Sequence, residues 1–350
     1  MNIAGFSLLI LGGFLVSTLV NGQDRISVMA YNLENLFDTK DDPNVADETY
    51  LPLATKRANP AIQKKCPKDG RYRKSCLNLD WSEANLQAKM KNLASVVLSV
   101  NQGRGPDILI LSEIENRGIL ETWNTKHLKA AGYQTVMHLD SGDRRGIDTA
   151  VLSRLSPAGQ AKLHPVRLPE KGKTKETRGI LEAPLKTKNG DLITAFAVHF
   201  PSPRHPHEQR VAAFSQLTDA AKKAKTKSAA VIAGGDFNVI NRYDSLIFRG
   251  LGYADWQTSH VIGCHSCLGT HFYRDNWSFL DAILNLKFDE KTAKNSWQID
   301  PSSVEVINSL KLQRRPQISQ SPRRFEVSDR TGASDHFPIY LEIVRNKVAH

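Results

Sequence analysis

The stretch "SAAVIAGGDFNVI", residues 228–240, joins an apolar run to two glycines, an acid and an amide. The length and β-branched content of the run are typical of a buried strand. Asp236 and Asn238 follow where that strand ends. One interpretation is a tight turn, with Gly234 and Gly235 supplying positive φ angles. The other is that the two polar side chains belong to a site at the edge of a sheet.

The same pattern recurs at most of the other strong apolar runs. Each releases a side chain that can bind a metal or move a proton: Asn32, Glu113, His199, Asp281, and the adjacent Asp335 and His336. Taken singly, most of these are ordinary polar residues at strand ends. Asp281 differs, because it lies inside an apolar run and an unpaired buried carboxylate costs several kcal/mol. We therefore expect Asp281 to be paired with a histidine.

Predicted strands outnumber predicted helices, and the helices fall between groups of strands. Strands are expected at 25–37, 106–116, 133–139, 147–154, 178–187, 191–203, 228–240, 278–288 and after Asp335. Helices are expected through 82–100, 118–132 and 207–225. The remaining long segments are interpreted as loops: an irregular basic insert at 38–82, a Lys-rich loop before 178, and a basic loop at 311–333. With no internal repeat and no clean linker, this order predicts one layered α/β domain, residues 23–350, with a sandwich core.

The charge of the chain narrows the class of partner. Its 350 residues carry a net charge of +11, with a pI of about 9.4 and 40% apolar residues. That surplus favours a polyanion, either nucleic acid or an anionic membrane. Basic residues cluster at 56–74, 171–178 and 311–324. These clusters can meet backbone phosphates, or they can simply keep the protein in solution.

The N-terminus is typical of a secretion signal. Residues 3–20 are apolar and uncharged, and small residues follow them. This predicts a signal peptide, residues 1–22, cleaved near Gly22, and a secreted or periplasmic protein. The alternative is an uncleaved membrane anchor, because the run is just long enough to span a bilayer.

Four cysteines in an exported chain suggest disulfides. Three pairings are open, and pairing of nearest neighbours predicts Cys66–Cys76 and Cys264–Cys267. The alternative for the second pair is half of a zinc site with a nearby histidine. The chain has no second ligand pair at the spacing that such a site needs.

Taken together and in order, the polar strand ends resemble the endonuclease/exonuclease/phosphatase superfamily, which includes deoxyribonuclease I, abasic-site nucleases, neutral sphingomyelinases and inositol-polyphosphate phosphatases. The matching stretches are "YNLEN", "DILILSEIEN", "RGIDTAVLSR", "VHFPS", "GGDFNVI", "FLDAIL" and "SDHFPI", which run through residues 26–344. The resemblance implies a four-layered α/β sandwich, with two central, mostly antiparallel β-sheets flanked by helices.

The resemblance also implies a divalent metal site. Glu113 is similar to the main metal ligand of the family, assisted by Asn32 and Asp335. Mg²⁺ is the expected ion, with Mn²⁺ or Ca²⁺ as alternatives. A hard cation that keeps several waters suits so few protein oxygens.

The catalytic roles are carried over in the same way. Asp236 and Asn238 resemble the pair that positions the attacking water and binds the scissile phosphate. His336 resembles the catalytic histidine, and Asp281 is expected to hold its other ring nitrogen and fix its tautomer.

A second histidine and an arginine complete the site that the resemblance implies. His199 is the second histidine, and Asp148 is its expected carboxylate partner. Arg178 matches a family arginine near the phosphate, where a guanidinium fork can bind two oxygens.

These residues predict a secreted, divalent-metal-dependent phosphodiester hydrolase. Because repair nucleases of the family usually place a tyrosine where this chain has His199, and because the charge is basic, the expected activity is DNA endonuclease of low sequence specificity. The expected state is a monomer with no obligate protein partner. The alternatives are a sphingomyelinase-like phospholipid phosphodiesterase or a phosphatase on small phosphoesters. A further alternative, from another class, is an inactive nucleic-acid-binding module.

Overall fold

The computed structural model describes residues 24–289 and 296–346, except for 316 and 319. The predicted signal peptide lies outside these residues. In the part of the chain that is described, no helix is long and apolar enough to cross a lipid bilayer.

Strands and helices follow one another along the described segments. The strands are β1 (Arg25–Leu36), β2 (Ile108–Ile114), β3 (Thr135–His138), β4 (Asp148–Ser153), β5 (Ser156–Pro157), β6 (Lys162–Glu170), β7 (Lys173–Lys186), β8 (Leu192–His199), β9 (Ala230–Asp236), β10 (Trp256–Thr258), β11 (His271–Tyr273), β12 (Asn276–Ser278), β13 (Asp281–Leu286), β14 (Trp297–Ile299), β15 (Glu305–Val306), β16 (Arg314–Arg315), β17 (Ser321–Pro322) and β18 (Ile339–Arg345). The helices are α1 (Leu53–Ala58), α2 (Pro60–Lys65), α3 (Gly70–Asn78), α4 (Glu83–Val97), α5 (Arg117–Lys126), α6 (His207–Lys225), α7 (Asn241–Leu246) and α8 (Ser259–Ile262). Short 3₁₀ turns lie at Glu48–Tyr50, Asn101–Gly103, Lys129–Ala131, Pro301–Ser303 and Lys311–Gln313, and a π-helical turn lies at Ile247–Leu251.

Two sheets stack face to face. The first has the order β14–β18–β1–β2–β4–β3, and the second has the order β10–β13–β9–β8–β7–β5. Strand β15 also pairs with β18, and β6 also pairs with β7. Each sheet has one parallel pair, β1 with β2 and β8 with β9, and its other pairs are antiparallel. The prediction of two mostly antiparallel sheets is therefore confirmed.

Three apolar cores separate four layers. Side chains such as Ile110 and Ala195 fill the space between the two sheets. Met90 and Trp123 belong to the core that α4 and α5 form with the first sheet. Phe214 and Phe196 belong to the core that α6 forms with the second sheet. Burying apolar side chains on both faces of each sheet explains why the central strands are nearly continuous apolar runs.

The strand directions explain why the polar strand ends meet. The carboxyl ends of β1 and β2 lie at one edge of the first sheet, and those of β8 and β9 lie at the corresponding edge of the second, since each pair is parallel. Strand β13 runs antiparallel to β9 and begins at this edge, with Asp281 opposite Asp236. One edge of the sandwich therefore collects residues from far apart in the sequence.

The glycine pair in the opening stretch belongs to a strand rather than a turn. Both residues lie in β9, and only Gly235 has a positive φ, of 128°. A Cβ on Gly235 would lie 2.2 Å from the carbonyl oxygen of Val198 on the neighbouring strand. Glycine at this position therefore allows β8 and β9 to approach closely just before the site.

The basic insert at 38–82 is not irregular as predicted, since it contains α1, α2 and α3. These helices are short and carry no long apolar period, so hydrophobic patterning does not reveal them. The predicted Cys66–Cys76 disulfide is present, and so is Cys264–Cys267. Lys56 is 1% exposed, and its Nζ donates to the carbonyl oxygens of Thr49 and Cys76, both at 2.9 Å. Lys56, a member of the basic cluster at 56–74, therefore stabilises the insert from within and is not available to a ligand.

The Lys-rich segment before residue 178 is also not a loop. It forms the end of a hairpin between β6 and β7, with Glu170 paired to Lys173. Strand β8 pairs with β7 only from Leu181 to Lys186, so the rest of the hairpin extends beyond the sheet. We call this extension, residues 166–177, the basic arm. Its Val166 and Leu168 are buried in the α6 core, which holds the arm against the protein.

Candidate active site

His336 and Asp281 form a buried ion pair at the edge where the strand ends meet. His336 Nδ1 lies 2.6 Å from Asp281 Oδ2, and the two side chains are 7% and 0% exposed. Burial opposes the charge of the ring, but Asp281, Asp335 and Asp236 outweigh it and hold the pKa of His336 well above its usual value. The ring is therefore an imidazolium whose Nδ1 is held by Asp281, as predicted, and whose Nε2 is left for other partners.

His199 sits in the same site but carries no charge. Burial lowers its pKa well below the usual value, and the positive charges of Arg178, Arg145 and His336 lower it further. Its Nε2 lies 3.6 Å from Asp236 Oδ2 and 3.8 Å from Glu113 Oε1. The site therefore contains one neutral histidine, His199, and one protonated histidine, His336.

Asn32 connects the two carboxylates that face His199. Its Nδ2 donates to Glu113 Oε1 at 3.3 Å and to Asp236 Oδ2 at 3.1 Å. Its Oδ1 accepts from the backbone N–H of Glu34 at 2.9 Å. In this arrangement Asn32 positions Glu113 and Asp236, and its carbonyl oxygen, which accepts one hydrogen bond, keeps a second lone pair for the metal contact that was predicted.

Asn238 and Asp236 are fixed by the loop that follows β9. The backbone N–H of Asn238 donates to Asp236 Oδ1 at 2.8 Å, and its Nδ2 donates to the carbonyl oxygen of Phe200 at 3.0 Å. Glu113 and Asn238 have positive φ angles of 64° and 55°, which are uncommon for non-glycine residues. Such backbone angles cost energy and concentrate at functional sites.

Asp335 lies beside His336 rather than beside Glu113. Its Oδ1 is 3.9 Å from His336 Nε2, and its other oxygen accepts from Arg324. Arg324 also binds Glu34 at 2.7 Å, and Glu34 accepts from the backbone N–H of Asp335 at 3.0 Å. Asp335, predicted as a metal ligand, is thus tied into an ion-pair network with an arginine. It also lies with His271 and His336 in a group whose ligand atoms are within 4.8 Å of one another and could hold a metal ion.

Arg178 reaches the site, but its guanidinium is committed to the protein. It donates to Asp143 at 2.9 Å and to the carbonyl oxygens of His199 and Phe200 at 3.3 and 3.4 Å. Arg178 is only 7% exposed, and its hydrogen bonds hold the end of β8. The predicted role, a guanidinium open to two phosphate oxygens, is not the arrangement seen here. The side chain of the neighbouring Arg145 is 61% exposed, and its positive charge lowers the pKa of both Arg178 and His199.

The predicted pairing of His199 with Asp148 is not formed. Asp148 lies 3.1 Å from the Nε2 of His138, and it accepts from the N–H and Oγ of Ser141. The Nδ1 of His199 is buried and has no hydrogen-bond partner among the described residues. Sequence alone cannot assign the partner, because the choice between two histidines on different strands is made by tertiary packing.

Several residues of the site were not predicted. The rings of His271 and His336 lie at a tilted angle with centroids 4.8 Å apart, and burial lowers the pKa of His271 to about 3, assisted by the charge of His336. Ser334 donates to the carbonyl oxygen of Asn32 at 2.7 Å and accepts from the N–H of His336. The signal that could have found them is proximity in sequence, since His271 precedes "SFLD" and Ser334 opens "SDH".

The donors at this edge fit a divalent cation. Glu113 and Asp236 are two carboxylates held within reach of one amide, and like charges this close favour a bound positive ion. Burial raises the pKa of Asp236, with Asp281 and Glu113 adding to the rise. Carboxylate oxygens in a partly buried site suit a hard ion such as Mg²⁺.

A family profile and several solved structures match the chain. The profile described as "Endonuclease/Exonuclease/phosphatase family" matches residues 27–69 and 68–345. No curated protein matches the sequence.

Among the solved structures, an endonuclease/exonuclease/phosphatase family protein from Bacteroides thetaiotaomicron is 16% identical, with a TM-score of 0.54, and covers 93% of this chain and 98% of that one. A protein of the same description from Beutenbergia cavernae is 14% identical, with a TM-score of 0.55, and covers 92% and 72%. TDP2 from C. elegans is 16% identical, with a TM-score of 0.50, and covers 91% and 75%. At these identities the structures show a shared fold. Because the profile spans nearly all of the described residues, the chain belongs to the endonuclease/exonuclease/phosphatase family, whose members hydrolyse phosphoester bonds.

Proposed function

We propose that this protein is a secreted, divalent-metal-dependent nuclease that cleaves DNA with little sequence preference. One observation supports hydrolysis. The His336–Asp281 ion pair lies at the same edge of the sandwich as Glu113 and Asp236, which are bridged by Asn32. A cationic donor and a carboxylate pair at one edge are the groups needed to attack and to stabilise a phosphodiester.

In the proposed reaction, water attacks phosphorus and the in-line bond between phosphorus and the leaving oxygen breaks. Asp236 accepts a hydrogen bond and then a proton from the attacking water, and the leaving oxygen takes a proton from solvent. Asn238 helps to fix the water and the phosphate. The imidazolium of His336 donates from Nε2 to a phosphoryl oxygen, where negative charge grows in the transition state. Neutral His199 donates a second hydrogen bond to the phosphate. A divalent ion held by Glu113 and Asp236 would supply Lewis-acid charge to the same oxygens.

The surface around the site supports a polyanionic substrate. The basic arm begins next to the carboxyl end of β8, where His199 lies. Arg178 of β7 donates to the carbonyl oxygen of His199 at this point. At its tip, Lys171 and Lys173 are exposed, and no ion pair is found for either among the described residues. Arg145 is exposed beside the site itself. These cations can follow a run of backbone phosphates outward from the scissile one.

The phospholipid alternative has its own structural support. Leu268 and Tyr273 are 66% and 60% exposed, and they flank His271 next to His336. Exposed apolar side chains at the mouth of a site can insert into a lipid surface. The basic arm favours nucleic acid, because its charges lie in an ordered hairpin that borders the site.

The test compares four substrates. Purified protein is incubated with supercoiled plasmid, RNA, sphingomyelin vesicles or bis(p-nitrophenyl) phosphate, each with Mg²⁺ and with EDTA. Metal-dependent nicking of plasmid at a rate well above that on vesicles is the expected result. Turnover of vesicles or small phosphoesters without plasmid nicking would replace the nuclease with one of the alternative hydrolases.

A further inference from the structure

A second group of acids lies where the chain leaves β1, outside the residues assigned to hydrolysis. Its members share the loop after β1 or the residue after β2: Asp38, Asp41, Asp42, Asp47, Glu48 and Glu115. We call them the loop acidic cluster. One carboxylate oxygen from each of Asp41, Asp47 and Glu48 lies within 4.8 Å of the other two. A cluster this tight in a protein of net charge +11 needs a physical cause.

Two of these carboxylates are buried with one oxygen left unpaired. Asp47 is 1% exposed and Glu115 is 5% exposed. Asp47 Oδ2 accepts from the N–H of Asp42 at 2.8 Å, and Glu115 Oε2 accepts from the N–H of Asp38 at 2.7 Å. The remaining oxygens, Asp47 Oδ1 and Glu115 Oε1, have no hydrogen-bond partner among the described residues. Buried carboxylate oxygens without partners are costly unless a cation binds them.

Lys65 is the cation that the structure places in this cluster. Its Nζ lies 3.2 Å from Asp41 and 3.4 Å from Glu48, and its side chain is 41% exposed. It does not contact the unpaired oxygens of Asp47 and Glu115. One partly exposed ammonium against six acids leaves the cluster with a net negative charge, and a dissolved ion can compete with it.

We propose that the loop acidic cluster binds Ca²⁺. Its donors are carboxylate oxygens from the loop after β1 and from the residue after β2. Ca²⁺ accepts six to eight oxygens in flexible arrangements, whereas Mg²⁺ demands a near-ideal octahedron and keeps its waters. Ca²⁺ is therefore the fitting ion, and this site is separate from the catalytic carboxylates Glu113 and Asp236.

The bound ion would join three parts of the molecule. The loop connects β1 to the insert helices, and Lys65 belongs to α2. The N–H of Ala46 donates to the carbonyl oxygen of Arg144 at 2.8 Å, next to Arg145. Glu115 follows β2 two residues after Glu113. Ca²⁺ at this point would stabilise the insert and the Arg145 loop against the edge of the sandwich.

The test is calorimetric titration of CaCl₂ into the metal-free protein, with the thermal midpoint measured in parallel. The wild type is expected to bind one Ca²⁺ and to melt at a higher temperature when it is bound. Asp47→Asn is expected to weaken the affinity at least tenfold, roughly the effect of one lost ligand charge. Lys65→Met is expected to tighten it, because the competing ammonium is gone.

Controls separate this site from the hydrolytic one. Glu113→Gln should keep the Ca²⁺ affinity and the rise in midpoint. Asp41→Asn, at an exposed position, replaces Asp47→Asn if that variant does not fold. The proposal is overturned if the wild type gives no Ca²⁺ heat, or if Glu113→Gln abolishes binding while the cluster variants retain it. Either result leaves the nuclease proposal untouched, since that rests on Mg²⁺-dependent cleavage.

Discussion

Two histidines of one site differ in charge because their neighbours differ. His336 is held by Asp281 and faces two further acids, so its pKa is raised well above normal despite burial. His199 is equally buried, and burial lowers its pKa well below normal because no acid outweighs it, while the charges of Arg178, Arg145 and His336 lower it further. Burial and neighbouring charges therefore make His336 the positively charged histidine of the site and His199 the neutral one.

Asp281→Asn tests the pairing directly. The change removes the charge that keeps His336 protonated and correctly oriented, so kcat on plasmid should fall by about 10²–10⁴. Asp148→Asn is the matched control, because it disrupts a buried histidine–aspartate pair that includes His138 rather than a site histidine. Its kcat should stay within a few fold of wild type. Equal losses in both variants would mean that the structure has misassigned the catalytic pair.

Gly235→Ala tests the close approach of β8 and β9. The added Cβ would meet the Val198 carbonyl at 2.2 Å in a backbone conformation that disfavours side chains. Unfolding by urea should show a loss of about 2–4 kcal/mol. Gly159→Ala, whose Cβ would lie 3.4 Å from Pro184, should change stability by less than about 0.5 kcal/mol. A tolerated Gly235→Ala would show that the two strands can separate at this point.

The basic residues of the arm were apparent in the sequence, but its hairpin structure was not predicted. Replacing Lys171 and Lys173 together by Glu should weaken DNA binding at least about tenfold and lower the log–log salt slope by about 1–2. Hydrolysis of bis(p-nitrophenyl) phosphate should be unchanged, since the arm does not touch the scissile group. Fluorescence anisotropy in EDTA gives the affinities.

The control for the arm makes the same change of charge elsewhere on the hairpin. Lys186→Glu with Lys188→Glu alters the opposite end of β7 and the turn that follows it, both exposed. Equal weakening by both double variants would indicate that net charge alone, rather than the position of the arm, attracts DNA.

A half-buried carboxylate, Asp244, joins α7 to α8. Asp244 lies 2.7 Å from His260 and 2.9 Å from Arg249. Burial alone would raise its pKa, but these two partners lower it overall. Its stabilising effect is therefore full above its unfolded pKa of about 3.9 and is lost as pH falls through the lower folded value.

Asp244→Asn should thus cost about 1–3 kcal/mol at pH 7, with the difference from wild type shrinking toward pH 2. Denaturant unfolding at several pH values measures it, and Asp219→Asn on the exposed face of α6 serves as the control. A difference that is constant with pH would show that the carboxylate charge plays no part.

The central sandwich was predictable from the sequence, but the insert helices, the hairpin of the basic arm and parts of the site were not. Periodicity placed the central strands, and the polar residues at their carboxyl ends identified Asn32, Glu113 and Asp236 as neighbours, because parallel strands deliver these ends to one edge. His336 precedes β18, which runs antiparallel to β1 and therefore begins at the same edge. The partner of Asp148 and the orientation of Arg178 depend on packing between distant strands, which no local pattern encodes. The short insert helices depend on a disulfide and a buried lysine rather than on an apolar period.

The measurement that bears most directly on the molecule as a whole is nicking of supercoiled plasmid by wild type and His336→Ala, with Mg²⁺ and with EDTA. Wild type should nick only with Mg²⁺, and His336→Ala should nick about 10³-fold more slowly or less while binding plasmid in EDTA with nearly wild-type affinity. The opposite result is a folded wild type that does not nick plasmid, or a His336→Ala variant that nicks at the wild-type rate. Either one would contradict the assignment of this edge as a metal-dependent nuclease site.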